Sequence, residues 1–252
     1  MDQPPAHPPG VRTANVQLTV HGRKLGMRIS VPDRDVRPAE LLPFYRSMSE
    51  AMMNMVTHDA AASGYSVSCK AGCGACCRQL VPISAIEARH LAKLVEEMPE
   101  PRRSEIKRRF QESIEKTARA DLLGRMSNPQ DADPRTTREI NLEYWKLRIP
   151  CPFLENESCS IYADRPIACR EFLVVSDPNH CSEDRPDNVR ALGPPAGPIS
   201  HRLPRPYRSP GGKAIDWVPL ILSLDFAMRH RNEPDARPAA QWVNEFFEGL
   251  PK

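Results

Sequence analysis

Eight cysteines fall in two groups, and the first packs four thiols into nine residues: Cys69-Lys-Ala-Gly-Cys73-Gly-Ala-Cys76-Cys77. Ordinary core cysteines do not cluster in this way. The second group, Cys151, Cys159, Cys169 and Cys181, is spread over a proline-rich, loop-like stretch. Thiolates are soft donors that suit zinc or iron–sulfur clusters better than magnesium or calcium. The two groups are expected to converge on an inorganic centre. Because such a site does not exist in the unfolded chain, the metal should also hold the fold together.

The spacing narrows the chemistry without fixing it. Cys73-Gly-Ala-Cys76 is one knuckle, whereas a zinc ribbon usually carries two. Ferredoxin-type runs also close several thiols within a short loop. Gly72 and Gly74 would let backbone N–H groups approach cluster sulfur, and would suit a zinc loop as well. Cys69-x3-Cys73-x2-Cys76 matches the spacing by which radical S-adenosylmethionine enzymes hold a cluster. Here, however, a helical pattern precedes it, and no strand–helix alternation points to a barrel. Neighbouring side chains on extended backbone point opposite ways, so Cys76 and Cys77 are not expected to share one ion. Eight thiols allow one four-thiolate cluster drawn from both groups, or two separate centres.

The 252 residues, 40% of them hydrophobic, suffice for one ordinary core. The net charge of +3 gives no argument for a nucleic-acid or membrane partner. The sequence identifies no redox or protein partner, and the oligomeric state is not readable from it. Met1–Gly10 lacks a basic segment followed by an apolar one, so no secretory leader is expected. A soluble, cytoplasmic protein is expected, and in a reducing compartment clustered cysteines are ligands or redox groups before they are disulfides.

The 27 prolines confine regular structure to particular stretches. Residues 1–13 read as a disordered tail and 14–252 as a single domain. Alternation over Val16–Val20 and Met27–Val31 predicts a β-hairpin turning through His21–Gly26. Helical spacing predicts helices over 38–62, 83–95, 102–126, 134–147, 216–230 and 238–249. The Met48, Met52 and Met53 stripe reads as core filling, and the charges of 102–126 as a solvated face. The expected fold is mainly α: a helical domain with a small N-terminal hairpin. An irregular, metal-stapled cysteine-rich segment packs on it. The cysteine core spans about 65–185 and C-terminal helices occupy 214–250.

Candidate metal ligands are Cys69, Cys73, Cys76, Cys77, Cys151, Cys159, Cys169 and Cys181. Arg165 and Arg170, flanking Cys169 together with Glu171, are candidates for binding a cofactor or an anionic substrate. They read more simply as structural arginines on loop carbonyls. His180 beside Cys181 is a possible nitrogen donor that reads more simply as a surface histidine, and Tyr162 reads as packing. His58 and His90 carry no further signal. No phosphate loop, Ser–His–Asp set or HExxH motif is present, so no catalytic residue is assigned.

Cys69-x3-Cys73-x2-Cys76-Cys77, Cys151-Pro-Phe-Leu154 and Cys159-Ser-Ile-Tyr162-Ala-Asp-Arg165-Pro166-x2-Cys169-Arg170-Glu-Phe172 together resemble the YkgJ family. Its members are zinc- or iron-chelating cysteine-cluster proteins. The resemblance covers roughly residues 65–185 and implies a metal-chelating cluster, often an iron–sulfur one. A related cysteine pattern occurs in flagellin lysine methylase, which extends the implied chemistry to an iron–sulfur oxidoreductase or an S-adenosylmethionine-dependent methyltransferase. The leading expectation is a 4Fe–4S-type centre used in a redox or group-transfer reaction. The competing ones are a zinc-stabilised, non-catalytic binding or assembly module, and metal storage.

Overall fold

In the structure, a computed structural model describing residues 10–20, 23–127, 133–182, 186–194 and 197–250, the hairpin is longer than its apolar alternation suggests. Strand β1 (Val11–Val20) pairs antiparallel with β2 (Arg23–Pro32), Val16 opposite Met27. Residues 23–26, expected in the turn, continue β2, and Val11–Thr13, expected in the tail, open β1. The rest of that tail, 1–9, and the turn residues 21–22 lie outside the described residues. Met27, Ile29 and Val31 face inward, as the two-residue period of a strand requires.

A 3₁₀ turn over Pro38–Leu41 leads into α1 (Leu42–Ala62), which ends before Gly64 at φ +82°. Gly64 supplies the left-handed stop that other residues resist. Met48, Met52 and Met53 are buried, as the stripe predicted. After the first cysteine group come β4 (Pro82–Ile83) and α2 (Ala85–Glu96). Ser84 accepts from Glu87 N while the Glu87 carboxylate accepts from Ser84 N, a reciprocal cap.

The helix expected over 102–126 breaks in two, α3 (Arg102–Arg119) and α4 (Leu123–Ser127). Asp121 sits between them at φ +56°, and the break turns Leu122 and Met126 into the core. The charged face of α3 pairs with itself and its neighbours, Arg108 and Arg109 with Glu105 and Lys107 with Glu96. Helix α5 (Pro134–Lys146) starts at Asp133, whose side chain accepts from Arg135 N and Thr136 N.

The segment from 149 to 213 is irregular, as expected, yet it has internal order. Strands β5 (Leu154–Glu155) and β6 (Ser158–Cys159) form a tight hairpin with Asn156 and Glu157 both at positive φ, as a two-residue primed turn demands. Helix α6 (Ile167–Glu171), β7 (Leu173–Val174) and β8 (Ala191–Leu192) follow, β7 pairing with β8. The stretch expected as a helix over 216–230 opens instead with β9 (Val218–Pro219) against β4 and a 3₁₀ turn, and only Ser223–Arg229 forms α7. Pro219 withholds the donor a longer helix would need. Strand β10 (Arg237–Pro238) pairs with β3 (Asp35–Val36) and runs into α8 (Ala239–Glu248).

The fold is mainly α, with paired short strands as joints. One buried cluster gathers α2–α5, residues 149–161 and the 207–226 region. The other joins the hairpin, α1 and α8, with Ile167 of α6 and Ile199. Helix α2 feeds both: Ala85, Ala88, Leu91 and Val95 enter the first, Ile86 the second. None of the helices among the described residues is long and apolar enough to cross a membrane.

Candidate metal centre

The first cysteine group is a chain of turns. Gly72 takes φ +87°, in the left-handed region that favours glycine. Cys73 N bonds to Lys70 O (3.1 Å), Cys77 N to Gly74 O (3.0 Å) and Gln79 N to Cys76 O (3.1 Å). This corrects the reading of the vicinal pair. Residues 75–78 form a turn, not extended backbone.

Three joints bring the second group to the first. Cys151 N donates to Cys77 O at 2.7 Å. Ser68 N donates to Val174 O (2.9 Å), and Val174 N donates to Cys69 Sγ (3.3 Å). The β5–β6 turn docks on Gly74. A Cβ there would lie 2.6 Å from Leu154 Cδ1 and 2.7 Å from Glu157 O, so only glycine admits the approach. Gly74 thus serves docking of the two groups. Arg78 clasps the same turn, its Nη1 and Nη2 donating to Glu157 Oε2 (2.9 Å) and Oε1 (2.5 Å) and Nη1 also to Gly74 O.

Cys69, Cys73, Cys76, Cys77, Cys151, Cys159 and Cys169 line one cavity of about 180 Å³. Cys181 is buried outside that lining, but its thiol feels the charge of Cys76, Cys69 and Cys73, and its carbonyl accepts from Gln79 Nε2 at 3.1 Å. All eight cysteines are free. Among the described residues, no three His, Cys, Asp or Glu side chains already stand in a grouping able to hold a metal ion. The thiols surround a space rather than a point, and that space far exceeds the roughly 10–15 Å³ that admits one water.

Ionisation is opposed almost everywhere in this cavity. Burial pushes Cys151 up to about 12, with Cys159 and Cys76 adding like-charge repulsion. Burial, then Cys151, Cys76 and Cys159, hold Cys169 well above the ordinary thiol value. Burial followed by neighbouring thiols lifts Cys181 to about 11. Burial also raises Cys69 and Cys159. Cys76 goes the other way, lowered first by the neighbouring Cys77 thiol, which is itself raised. A cation inside the cavity would reverse this balance, since a bound metal deprotonates its thiols outright. Soft donors around such a space fit zinc or an iron–sulfur cluster.

Arg165 and Arg170 divide the roles foreseen for them. Arg170 donates to the carbonyls of Arg165 (3.0 Å) and Ala163, a loop brace. Arg165 lines the cavity, stacks on the Tyr162 ring at 4.1 Å, and its buried Nε has no partner. Its charge favours the thiolates of Cys69, Cys76 and Cys159. Tyr162 is 42% exposed rather than packed inside. His180 Nδ1 bonds to Asn188 O (3.1 Å), and its ring is not among the cavity's lining.

Sequence reasoning missed the carboxylates that fix α6. Glu87 Oε1 accepts from Ile167 N at 2.7 Å, capping the short helix that carries Cys169. Glu171, at its other end, accepts from Ile199 N (2.7 Å), Ser200 N and Oγ, and Ser49 Oγ. Burial still raises the Glu171 carboxyl. The Ser84-x-x-Glu87 spacing was a signal for the cap of α2. Nothing local announced the reach to Ile167.

Residues 68–185 match the model of the CxxCxxCC family, described as "Putative zinc- or iron-chelating domain". Over these residues the chain is similar to that family. The match spans just under half of the chain, holds all eight cysteines, and bears out the YkgJ-type resemblance. The match supports a metal-binding cysteine cluster that takes zinc or iron. No curated protein and no solved structure matches the chain.

Proposed function

We propose that the matched region carries an iron–sulfur centre of the 4Fe–4S type, used in a redox or group-transfer reaction in a reducing, cytoplasmic environment. The donor pool is Cys69, Cys73, Cys76, Cys77, Cys151, Cys159, Cys169 and Cys181. The observation that carries the reading is the single cavity of about 180 Å³ lined by seven thiols from both groups. A lone tetrahedral zinc, with Zn–S bonds of about 2.3 Å, would draw four sulfurs toward a point. A multi-atom cluster suits thiols that surround a volume. When bound, the cluster supplies an electron reservoir or an open iron position. The chain supplies thiolates and the positive charge of Arg165 beside Cys69, Cys76 and Cys159.

Anaerobic purification followed by elemental analysis and absorption spectroscopy tests this. Iron with acid-labile sulfide and a visible charge-transfer band is expected. A colourless protein with stoichiometric zinc and no sulfide overturns it and leaves a zinc-stabilised binding or assembly module.

A further inference from the structure

The described residues enclose two concavities larger than the thiol cavity, and their polar groups differ in kind. The largest, about 1110 Å³ between α2, α3 and α7, has its charges already matched. Arg37 and Arg89 pair with Glu233, Lys107 with Glu96 and Arg229 with Asp225. His90 Nε2, buried without a hydrogen bond, still lies 3.5 Å from Asp164 Oδ1.

The second cleft, about 700 Å³, lies within the roughly 300–1,000 Å³ typical of small-molecule sites. Its body is aromatic and apolar, with Trp145 of α5, Trp217 ahead of β9, Phe172 and Leu80. On its α5 rim, Arg138 and Asn141 stand three residues apart, and so on one helix face. Neither side chain has a partner among the described residues, and both are exposed. Trp145 Nε1 is buried with no acceptor, although a buried indole N–H ordinarily finds one. The other cation on the wall, Arg205, is already paired with Asp216 at 2.8 Å.

The cleft also shares a wall with the thiol cavity. Gln79, Leu80, Pro82 and Phe172 border both. Gln79 N bonds to Cys76 O, and Gln79 Nε2 to Cys181 O, so the wall is tied directly to thiol-bearing residues of both groups.

We infer that this cleft binds a planar aromatic molecule bearing a carboxylate-type anion, seated one side-chain layer from the thiol cavity. Two tryptophans and a phenylalanine reward a flat apolar body. The unpaired guanidinium of Arg138 rewards a planar anion that can accept two N–H bonds. A cationic ligand is repelled by the Arg138 guanidinium, and a purely aliphatic one offers it no acceptor. The inference stands on the cleft's own residues and does not depend on which metal the thiols hold.

Isothermal titration of the full chain, with its metal as isolated, tests it using 2-naphthoate and its neutral analogue 2-naphthalenemethanol. One-to-one binding of 2-naphthoate is expected, with the alcohol at least about tenfold weaker. Arg138→Gln, an exposed change that leaves the core alone, should weaken 2-naphthoate by about tenfold. Trp145→Leu removes the flat ring from the cleft wall and should weaken it by about threefold or more. Metal content, measured on every sample, should not change. No saturable heat at millimolar probe, equal affinity for acid and alcohol, or wild-type binding by Arg138→Gln would each overturn the inference. The heat of binding is read independently of the spectrum of any cluster, so this test can fail or succeed separately from the iron–sulfur reading.

Discussion

The aromatic core made by the two ends of the chain and the cysteine-bearing segment between them hold together by different physics. In the former, Phe44, Tyr45, Phe246 and Phe247 pack with ring centroids 5.2–6.3 Å apart. Trp242, 1% exposed, donates its indole N–H to Val36 O at 3.0 Å. Large rings and long helices supply burial and repetitive hydrogen bonding. The segment 149–192 has two-residue strands, a five-residue helix and 3₁₀ turns. Its attachment to the first cysteine group runs through single bonds, such as Cys151 N to Cys77 O and Val174 N to Cys69 Sγ. Ordering such backbone costs roughly 1–2 kcal/mol per residue. Ile149, Phe153, Ile161 and Ile167 anchor it to the buried clusters, and the thiol-bearing turns between these anchors are expected to draw their cohesion from what the thiols bind.

Metal removal should therefore split the molecule along that line, and this is the largest effect expected. Stripping the centre with a chelator should abolish amide-exchange protection over 65–84 and 149–192 while α1 and α8 stay protected. Structural zinc in small domains is worth on the order of 10 kcal/mol, which sets the scale. Exchange read by mass spectrometry checks it. Uniform loss of protection along the chain would show that the two regions share one source of stability.

Trp242→Ala attacks the other region. Removing a fully buried indole should cost about 3–5 kcal/mol. Denaturant unfolding measures that loss, and metal per folded chain should be unchanged. A variant that folds but sheds its metal would erase the distinction between the regions.

Next in size is a pair of glycine changes. Gly74→Ala forces a Cβ against Leu154 Cδ1 and the Glu157 backbone, all under 3.0 Å away, and backbone cannot swing aside as a side-chain tip can. Overpacking of this kind costs about 1–3 kcal/mol, and here it should also weaken metal retention. Gly124→Ala in α4 meets nothing within 4 Å and should be neutral or stabilise by up to about 1 kcal/mol. Thermal melts with metal analysis separate the two. Equal behaviour would mean that the docking of the β5–β6 turn on the cysteine loop does not matter.

The regions also differed in how far the residues alone revealed them. Periodicity found α1, α2, α5 and α8 within a few residues, because an apolar stripe such as Met48, Met52 and Met53 records the face that is buried. It misjudged 102–126 and 216–230, where Asp121 at positive φ and Pro219 in a strand end the helix for tertiary reasons. Cysteine spacing disclosed the convergence of the two groups but not its geometry. The premise that Cys76 and Cys77 diverge failed because turn hydrogen bonds, invisible in composition, curl residues 74–79. The Glu87 cap on Ile167 and the Arg78–Glu157 clasp join residues about 80 positions apart, and long-range pairing of common charged residues leaves no local mark.

That clasp gives the smallest and most condition-dependent prediction. Arg78 holds the Glu157 carboxyl below the ordinary glutamate value, hydrogen bonding first and charge second. A carboxyl lowered in the folded state stabilises the fold fully above its unfolded value, about 4.3, and loses that contribution as pH falls through the lowered value. Glu157 is 61% exposed, so solvent screening limits the pair to below about 1 kcal/mol. Glu157 also occupies φ +57°, a conformation a glutamate resists, and the arginine fork holds the turn in it. Arg78→Ala should thus destabilise slightly at neutral pH, by an amount that shrinks at high salt and disappears in acid. It should also loosen amide protection at 154–159 before any other segment. Unfolding curves across pH, with exchange at neutral pH, measure both. A deficit that persists unchanged in acid and in salt would assign Arg78's role to its contact with Gly74 O and to packing, and would make the clasp part of the docking that Gly74 itself governs.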